Sequence, residues 1–287
     1  MSLFSAQPDF ELWDSAWSSL PADGIQLFTR GTPHNIHAFR HRCYFEDLWP
    51  LIERSGGMGR YLEIGAGRGT TSMYLASRGC DVTLLDYSPT GLAVARRNFV
   101  REGLPTPRTV VADARSTGLP AAEYDCVYSM GLLEHFDDPK PVLDEILRVL
   151  KPGGHLFTVV VPELPGSVRY LAYGLFAPWR LTPLLLPRPV TAWAKRVVGR
   201  AEAVRLPSRT EFDAQEYIRM LPRDRVTDVR WWYYSPYHEI YRSRVAERFI
   251  LMPAYRLHRA LRRRFVYPSA RTSRAFAGAF LLTFRKQ

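Results

Sequence analysis

The sequence predicts an α/β protein built on a doubly wound parallel sheet. Between residues 60 and 161, five short apolar segments alternate with segments of helical pattern. The first segment runs into a glycine-rich turn, and the first three each end on an acid: Glu63, Asp86 and Asp113. The carboxyl ends of parallel strands meet at one edge of a sheet, so we expect these acids to lie together beside a ligand.

The glycine-rich turn separates different kinds of nucleotide site. Residues 61–70 read Tyr-Leu-Glu-Ile-Gly-Ala-Gly-Arg-Gly-Thr, which indicates a strand, a tight turn and a helix. Gly65 and Gly67 allow close approach of a ligand to the backbone. A dinucleotide fingerprint requires glycine where Thr70 stands, and no Gly-Lys-Ser/Thr ending follows. NAD, FAD and P-loop chemistry are therefore disfavoured, whereas glycine used only for packing remains an alternative for this turn taken alone.

The other elements follow in order. A helix over 35–55 precedes the first strand and stops at a glycine pair. Ser88 is expected to cap the helix that begins at Pro89, which leaves Asp86 available for a ribose diol. The remaining predicted elements are a helix at 71–78, a strand at 81–86, a helix at 89–102, strands at 109–114 and 124–130, a helix at 139–150, a turn at 151–154 and a strand at 155–161.

Composition narrows the class of protein. The chain has 287 residues, of which 46% are hydrophobic, and its three cysteines are too widely spaced for a disulfide framework or a zinc site. The first thirty residues lack a basic segment before an apolar stretch, and no apolar run approaches the roughly 18 residues of a membrane span. We expect a cytoplasmic protein, soluble or peripheral at a membrane, in a reducing compartment.

Charge is distributed unevenly along the chain. Residues 1–161 hold 15 Lys+Arg and 19 Asp+Glu, a net of −4, whereas residues 162–287 hold 24 and 9, a net of +15. An anionic substrate, a lipid headgroup or nucleic acid would match the basic half. Scattered arginines on exposed helices are the alternative.

Three histidines lie near one face of the first predicted helix. His34, His37 and His41 are spaced i, i+3 and i+7, but no acid supports them at matching spacing. Packing or contact with a cofactor edge is therefore favoured over a metal site. Arg40 and Arg42 on the same helix are placed to reach a carboxylate bound over the glycine turn.

The ordered motifs resemble those of class I S-adenosylmethionine-dependent methyltransferases, in the branch of ubiquinone, menaquinone, natural-product and glycan enzymes. The resemblance covers residues 35–161 and, more loosely, 211–235 and 274–286. The motifs that carry it are Leu62-Glu63-Ile64-Gly65-Ala66-Gly67-Arg68-Gly69, Leu85-Asp86-Tyr87-Ser88, Ala112-Asp113-Ala114, Met130-Gly131-Leu132-Leu133-Glu134-His135-Phe136 and Val149-Leu150-Lys151-Pro152-Gly153-Gly154.

The resemblance implies a Rossmann-like sheet of seven strands whose last strand is antiparallel, with a sixth strand at 225–234 and a seventh at 275–285. It places the methionine part of the cofactor on residues 63–67, the ribose on Asp86 and the adenine between Tyr87 and residues 113–114. Met130 and His135 would line the side of methyl transfer. The residues expected to contact S-adenosylmethionine, or its product S-adenosylhomocysteine, are Arg42, Glu63, Gly65, Ala66, Gly67, Asp86, Tyr87, Asp113, Ala114, Met130 and His135.

We divide the chain into an N-terminal helical lid (1–34), a cofactor-binding core (35–161), a proline-rich cap insertion (162–210) and the rest of the core (211–287). The last part contains a basic helical insertion at 236–273. Both insertions are expected at the ligand edge, enclosing an apolar or amphipathic substrate. For the basic insertion a dimer surface or a solvated face is an equal alternative, and residues 184–198 are a candidate membrane contact.

The predicted function is methyl transfer to an oxygen of a small or lipid-like molecule in a natural-product, quinone or glycan pathway. His135 and His238, with His37 behind them, are the candidate proton acceptors. A carboxylate or phenolate acceptor would need no base. Nucleic-acid methylation is disfavoured because no Asn/Asp-Pro-Pro-Tyr/Phe motif or Pro-Cys nucleophile follows the fourth strand. A cofactor-binding protein with other chemistry is the remaining alternative.

Overall fold

The computed structural model describes residues 13–14, 17–18, 27–33, 35–54, 59–164, 167, 209–234, 247–265 and 273–287. The strands in these ranges are β1 (Arg60–Ile64), β2 (Asp81–Asp86), β3 (Arg108–Val111), β4 (Tyr124–Met130), β5 (Leu150–Val160), β6 (Val226–Tyr234) and β7 (Ala279–Lys286). The helices are α1 (Ile36–Arg54), α2 (Thr70–Ala76), α3 (Pro89–Arg101), α4 (Lys140–Val149), α5 (Ala214–Met220) and α6 (Met252–Phe265).

The strands form one seven-stranded sheet in the order β3-β2-β1-β4-β5-β7-β6. Strands β1 to β5 pair in parallel, and β7 runs antiparallel between β5 and β6. The order reverses between β1 and β4, which is where a doubly wound sheet opens a crevice for ligands. The predicted Rossmann-like sheet with an antiparallel last strand is confirmed.

Both faces of the sheet are buried, so its central strands are apolar on both sides. On one face α1, α2 and α3 contribute side chains such as Phe45, Tyr74 and Phe99. On the other face α4 and α5 contribute Ile146 and Tyr217, among others. The sheet is thus fixed between two helical layers, and only its edge is left to form a site.

Several predicted boundaries are wrong by a few residues. β3 ends at Val111 rather than at residue 114, because Asp113 closes a tight turn with its backbone paired to Ser116. β5 begins at Leu150 rather than at residue 155, since Leu150 pairs with Tyr124 before an irregularity in register. β7 begins at Ala279 rather than at residue 275, after a 3₁₀ turn over Arg274–Phe276.

The basic insertion is anchored to the core by its described part. Met252 of α6 packs with apolar residues of α1. Nearby, Arg259 is buried and its Nη2 lies 2.8 Å from Oδ1 of Asp47, while the hydroxyl of Tyr234 donates to Oδ2 of the same carboxylate at 3.0 Å. No helix in the described ranges combines the length and the apolar character needed to cross a bilayer.

The two ends of the cap insertion meet. The backbone N–H of Glu163 donates to the carbonyl of Thr210 at 3.1 Å, and the N–H of Thr210 donates to the carbonyl of Glu134 at 2.7 Å. The insertion therefore leaves the core and returns to it beside the loop that follows β4. Most of residues 162–210, including the candidate membrane contact at 184–198, lies outside the described residues.

Candidate active site

A cavity of about 650 Å³ opens at the carboxyl edge of the sheet, at the point where the strand order reverses. Its volume is within the range of small-molecule sites. It is lined by Trp13, Trp17, His41, Glu63, Gly65, Ala66, Gly67, Arg68, Thr70, Thr71, Leu85, Asp86, Tyr87, Ala112, Asp113, Ala114, Arg115, Met130, Gly131, Leu132, His135, Phe136 and Arg209.

The glycine turn between β1 and α2 forms the floor of this cavity. The N–H groups of Gly65 and Ala66 donate to the carbonyl of Leu85 at 2.9 and 3.0 Å, which ties the turn to β2. Gly67 has a φ of 49°, and a Cβ there would lie 2.5 Å from the ring of Trp17. Glycine at this position is thus required by both the backbone conformation and the tryptophan above it.

Asp86 links the end of β2 to the glycine turn. Its Oδ2 accepts from the N–H of Gly67 at 2.8 Å and its Oδ1 accepts from the N–H of Ser88 at 2.9 Å. Burial raises the pKa of this carboxyl, against the effect of those hydrogen bonds. Ser88 caps α3 as predicted, accepting from the N–H of Gly91 at 3.0 Å.

Glu63 at the end of β1 is the most strongly perturbed acid of the cavity. Burial raises its pKa from 4.5 to about 7, although Ser72 donates to the carboxylate from both its backbone N–H and its hydroxyl. A carboxyl with this pKa is partly protonated at neutral pH, so a cation bound beside it would drive its proton off.

Asp113 reaches the cavity from the turn after β3. Its carboxylate forms a bidentate pair with Arg115, with 2.6 Å between Oδ2 and Nη2, and this hydrogen-bonded partner lowers the pKa of Asp113. Asp113 is consequently held by an arginine, whereas Glu63 and Asp86 accept hydrogen bonds from backbone N–H groups and, for Glu63, a hydroxyl.

The buried polar atoms of the cavity wall that have no hydrogen-bond partner within the described ranges include Nδ1 of His41 and Oγ1 of Thr70. Burial and the nearby Arg40, Arg68 and His37 lower the pKa of His41 to about 3. His41 is therefore neutral near pH 7. Unpaired buried polar atoms are costly, so a polar ligand in this cavity would satisfy them.

The loop after β4 contributes His135, which is 8% exposed. Trp13 meets the imidazole edge-on, with 5.2 Å between ring centroids. Nε2 of His135 lies 3.9 Å from Oε1 of Glu134, a fully buried acid whose carboxylate oxygens make no hydrogen bond in the described part of the chain. An imidazole thus faces the cavity close to a carboxylate.

The N-terminal residues cross the mouth of the cavity. Oδ1 of Asp14 accepts from the hydroxyl of Ser88 at 2.7 Å, next to the end of β2, while Trp13 contacts His135 after β4. Trp17 covers Gly67 and Gly91, and Arg68 lies 5.4 Å over its ring. We call residues 13–18 the strap; residues 15 and 16 within it are outside the described ranges.

The structure brings ten of the eleven predicted cofactor residues to this cavity, with Arg42 as the exception. The guanidinium of Arg42 is directed away, to Glu46 and the carbonyl of Gly31. Arg68 and His41 line the cavity, whereas Arg42 does not. Of the other candidate bases, His37 is exposed and does not line the cavity, and His238 lies outside the described residues, as does His34.

Sequence reasoning missed the contributions of Trp13, Trp17, Arg68, Arg115 and Arg209 to the cavity. The tryptophans gave a signal, because these two large aromatic side chains stand four residues apart near the start of the chain. For Arg209 there was none, since it lies at the end of an insertion whose path the sequence does not reveal. No cluster of three His, Cys, Asp or Glu side chains suited to a metal occurs within the described ranges.

A sheet of this order, with a glycine turn and strand-end acids around one cavity, defines the class I S-adenosylmethionine-dependent methyltransferases. The residues present fit that cofactor: Asp86 faces the cavity, Gly65 and Gly67 of the turn have no side chain there, and His41 and Thr70 offer unpaired polar atoms. Residues 62–158 match the family model described as a methyltransferase domain. The chain carries a domain of this class.

Two relatives of similar sequence are ubiquinone biosynthesis O-methyltransferases. The ubiquinone biosynthesis O-methyltransferase of Cronobacter sakazakii is 29% identical over 181 residues, which cover 62% of this chain and 64% of the relative. The enzyme of the same name from Photorhabdus laumondii is 29% identical over 213 residues, or 73% and 72% of the two chains. The first alignment thus spans a little under two thirds of the relative's length.

Solved structures agree on the fold. The N-methyltransferase NodS from Bradyrhizobium japonicum, solved with S-adenosylhomocysteine, has a TM-score of 0.52 and 15% identity, with 96% of this chain and 98% of that chain covered. At this identity the similarity extends to the fold alone.

Proposed function

We propose that this protein transfers the methyl group of S-adenosylmethionine to an oxygen atom of a small molecule in a biosynthetic pathway. The observation that carries the proposal is that the strand-end acids and His135 line the same cavity. The similarity to relatives named ubiquinone biosynthesis O-methyltransferase supports oxygen as the acceptor and a quinone pathway as one candidate.

The acids at the ends of β1 and β2 would bind the cofactor. Asp86 would accept the ribose hydroxyls, Tyr87 and Ala114 would border the adenine, and Glu63 would lie near the positively charged methionine part. When bound, S-adenosylmethionine supplies an electrophilic methyl group. Arg68 and His41 are suited to its carboxylate, because both lie on the cavity wall close to the glycine turn.

The acceptor half of the cavity lies under the loop after β4. Met130, Leu132 and Phe136 give it an apolar wall, and Arg209 places a cation at its border. This combination suits an apolar ring or chain that carries a hydroxyl group and an anionic substituent. The residues would act mainly by orienting the hydroxyl and excluding water.

His135 is the proposed proton acceptor. It borders the cavity, and Oε1 of Glu134 at 3.9 Å from Nε2 would stabilise the imidazolium that forms when the acceptor proton is taken up. His41 is less suited to this role, since a pKa of about 3 leaves little driving force for proton uptake at neutral pH. An ionised acceptor, such as a phenolate, would require positioning only.

The cofactor assignment is tested first by calorimetry. S-adenosylmethionine and S-adenosylhomocysteine should both bind, and Asp86→Ala should weaken each by about tenfold or more, because hydrogen bonds to a charged group are lost. Asp81→Ala, at the exposed start of the same strand, is the control and should leave both affinities unchanged. Binding of NADH with no response to the methyl donor would refute the proposal.

The substrate is found by incubating the protein with labelled methyl donor and an extract of its source organism. A labelled product whose mass and fragmentation show an O-methyl group is the expected result. A label on nitrogen or carbon would support methyltransferase activity but would refute oxygen as the acceptor atom.

A further inference from the structure

An exposed apolar stripe runs along the outer side of the basic insertion. The relative exposures are 66% for Ile250, 61% for Leu257 and 49% for Leu261, and Phe249 beside them is 67% exposed. The spacing of 250, 257 and 261 places these side chains on one face of the helical segment. Large apolar side chains gathered in this way indicate a contact surface.

The opposite side of α6 packs against the core. Met252 packs with Ile36, Phe39 and Cys43 of α1, and Arg259 is buried against Asp47. The helix is therefore held firmly by the core through one face, while the apolar stripe on the other face points away from it. Packing of this helix on α1 does not explain the stripe.

The stripe lies within a strongly basic segment. The helical segment over residues 247–265 contains six arginines, at 248, 256, 259 and 262–264, and one acid, Glu247 at its first position. Arg259 is paired with Asp47 and Arg256 donates to the carbonyl of Pro33, so the arginines at 248 and 262–264 carry the remaining positive charge of the segment. Arg248 is exposed, with its guanidinium 5.5 Å over the ring of Phe249. An amphipathic helix with exposed apolar side chains and more arginines than acids matches the boundary of an anionic bilayer.

We propose that residues 248–261 form a peripheral docking surface for anionic lipid membranes, with Ile250, Leu257 and Leu261 entering the headgroup boundary. A second copy of the chain fits less well, because two-fold pairing would bring two arginine-rich helices together. Nucleic acid would satisfy the arginines and leave the apolar stripe in water. The proposal is independent of the reaction in the cavity.

Vesicle sedimentation tests the surface directly. The full chain is mixed with vesicles of phosphatidylcholine alone or with about 30 mol % phosphatidylglycerol, at about 0.05 M and about 0.5 M salt. Binding is expected only with the anionic lipid, and it should weaken at high salt. Leu257→Gln with Leu261→Gln should reduce the partition coefficient roughly tenfold, because the inserted apolar area is lost without a change of charge.

Val100→Gln is the matched control, since Val100 is 66% exposed on α3 and lies outside this surface. It should bind vesicles like the wild type. Absence of binding to anionic vesicles, or equal binding by the double variant, would overturn the proposal. So would a dimer seen by light scattering that the double variant dissolves, or RNA binding that the double variant retains without any lipid binding.

Discussion

Burial favours the neutral form of two ionisable side chains in the cavity, an acid and a histidine. It raises the pKa of Glu63 to about 7 and lowers that of His41 to about 3, so both are driven towards their neutral forms. Glu63 is therefore only partly ionised near pH 7 until a ligand enters. A cationic ligand would restore the carboxylate of Glu63.

The first prediction concerns the pH dependence of cofactor affinity. The affinity of the wild type should rise between about pH 5 and pH 7, by up to about tenfold per unit, because binding a cation expels the proton from Glu63. Glu63→Gln should flatten this dependence in calorimetry. An equally steep profile in the variant would exclude Glu63 as the linked group.

The same shift predicts the pH dependence of stability without ligand. The folded-state pKa of Glu63 lies above its ordinary value of 4.5, so its contribution is fully present below about pH 4.5 and is lost as pH rises through about 7. The melting temperature of wild type relative to Glu63→Gln should fall across this window. A difference that stays constant with pH would contradict the assignment.

The second prediction concerns His135. His135→Ala should lower kcat by about 10²-fold or more near pH 7, because the acceptor proton loses its base, while cofactor affinity changes less. The deficit should shrink at high pH, where the acceptor ionises by itself. His155→Ala on β5, outside the cavity lining, is the matched control. Unaltered kcat in both His135→Ala and His238→Ala would reject histidine as the base.

At the scale of elements, the strap connects the loops after β2 and β4 across the cavity. Asp14 binds Ser88 at one side and Trp13 contacts His135 at the other, so the strap borders both the cofactor and the acceptor regions. The N-terminal lid over residues 1–34 stays a prediction.

The third prediction follows from the 2.7 Å hydrogen bond between Asp14 and Ser88. Asp14→Ala should speed release of S-adenosylhomocysteine by about tenfold, because a charge-assisted bond that fastens the strap is lost. Stopped-flow tryptophan fluorescence would follow the release. Asp81→Ala, which removes an exposed carboxylate outside the strap and the cavity lining, is the control. Equal release rates in all three proteins would show that the strap does not retain the ligand.

At the scale of the whole molecule, one buried ion pair joins the C-terminal insertion to the first helix of the core. Arg259 and Asp47 have side-chain exposures of 6% and 5%, and Tyr234 at the end of β6 completes the group. Three segments distant in sequence therefore depend on one carboxylate. The dimer surface and the solvated face considered for the basic insertion stay predictions.

The fourth prediction is that Asp47→Ala destabilises the protein by about 3–5 kcal/mol, because it leaves the guanidinium of Arg259 buried without its main partner. Chemical denaturation would measure the change. Asp144→Ala, in the exposed pair with Lys140, should cost less than about 1 kcal/mol. Similar losses of stability in the two variants would mean that the buried ion pair stabilises the protein no more than the exposed pair does.

The sequence by itself determined the sheet and the cofactor half of the cavity. The alternation of apolar segments with helical patterns predicts strands and crossover helices, because each element must bury one face. The acids at residues 63 and 86 lie on the cavity because parallel strands end at the same edge of the sheet. These inferences depend on neighbours along the chain, which the sequence displays directly.

Only the tertiary structure decided what approaches the cavity from a distance. The direction of Arg42 depends on Glu46 and the Gly31 carbonyl, and the arrival of Trp17 at Gly67 depends on the path of an N-terminal segment. Likewise, burial of Arg259 follows from a contact between residues more than two hundred positions apart. Such contacts are set by packing between layers, for which sequence periodicity gives the face of an element but not its partner.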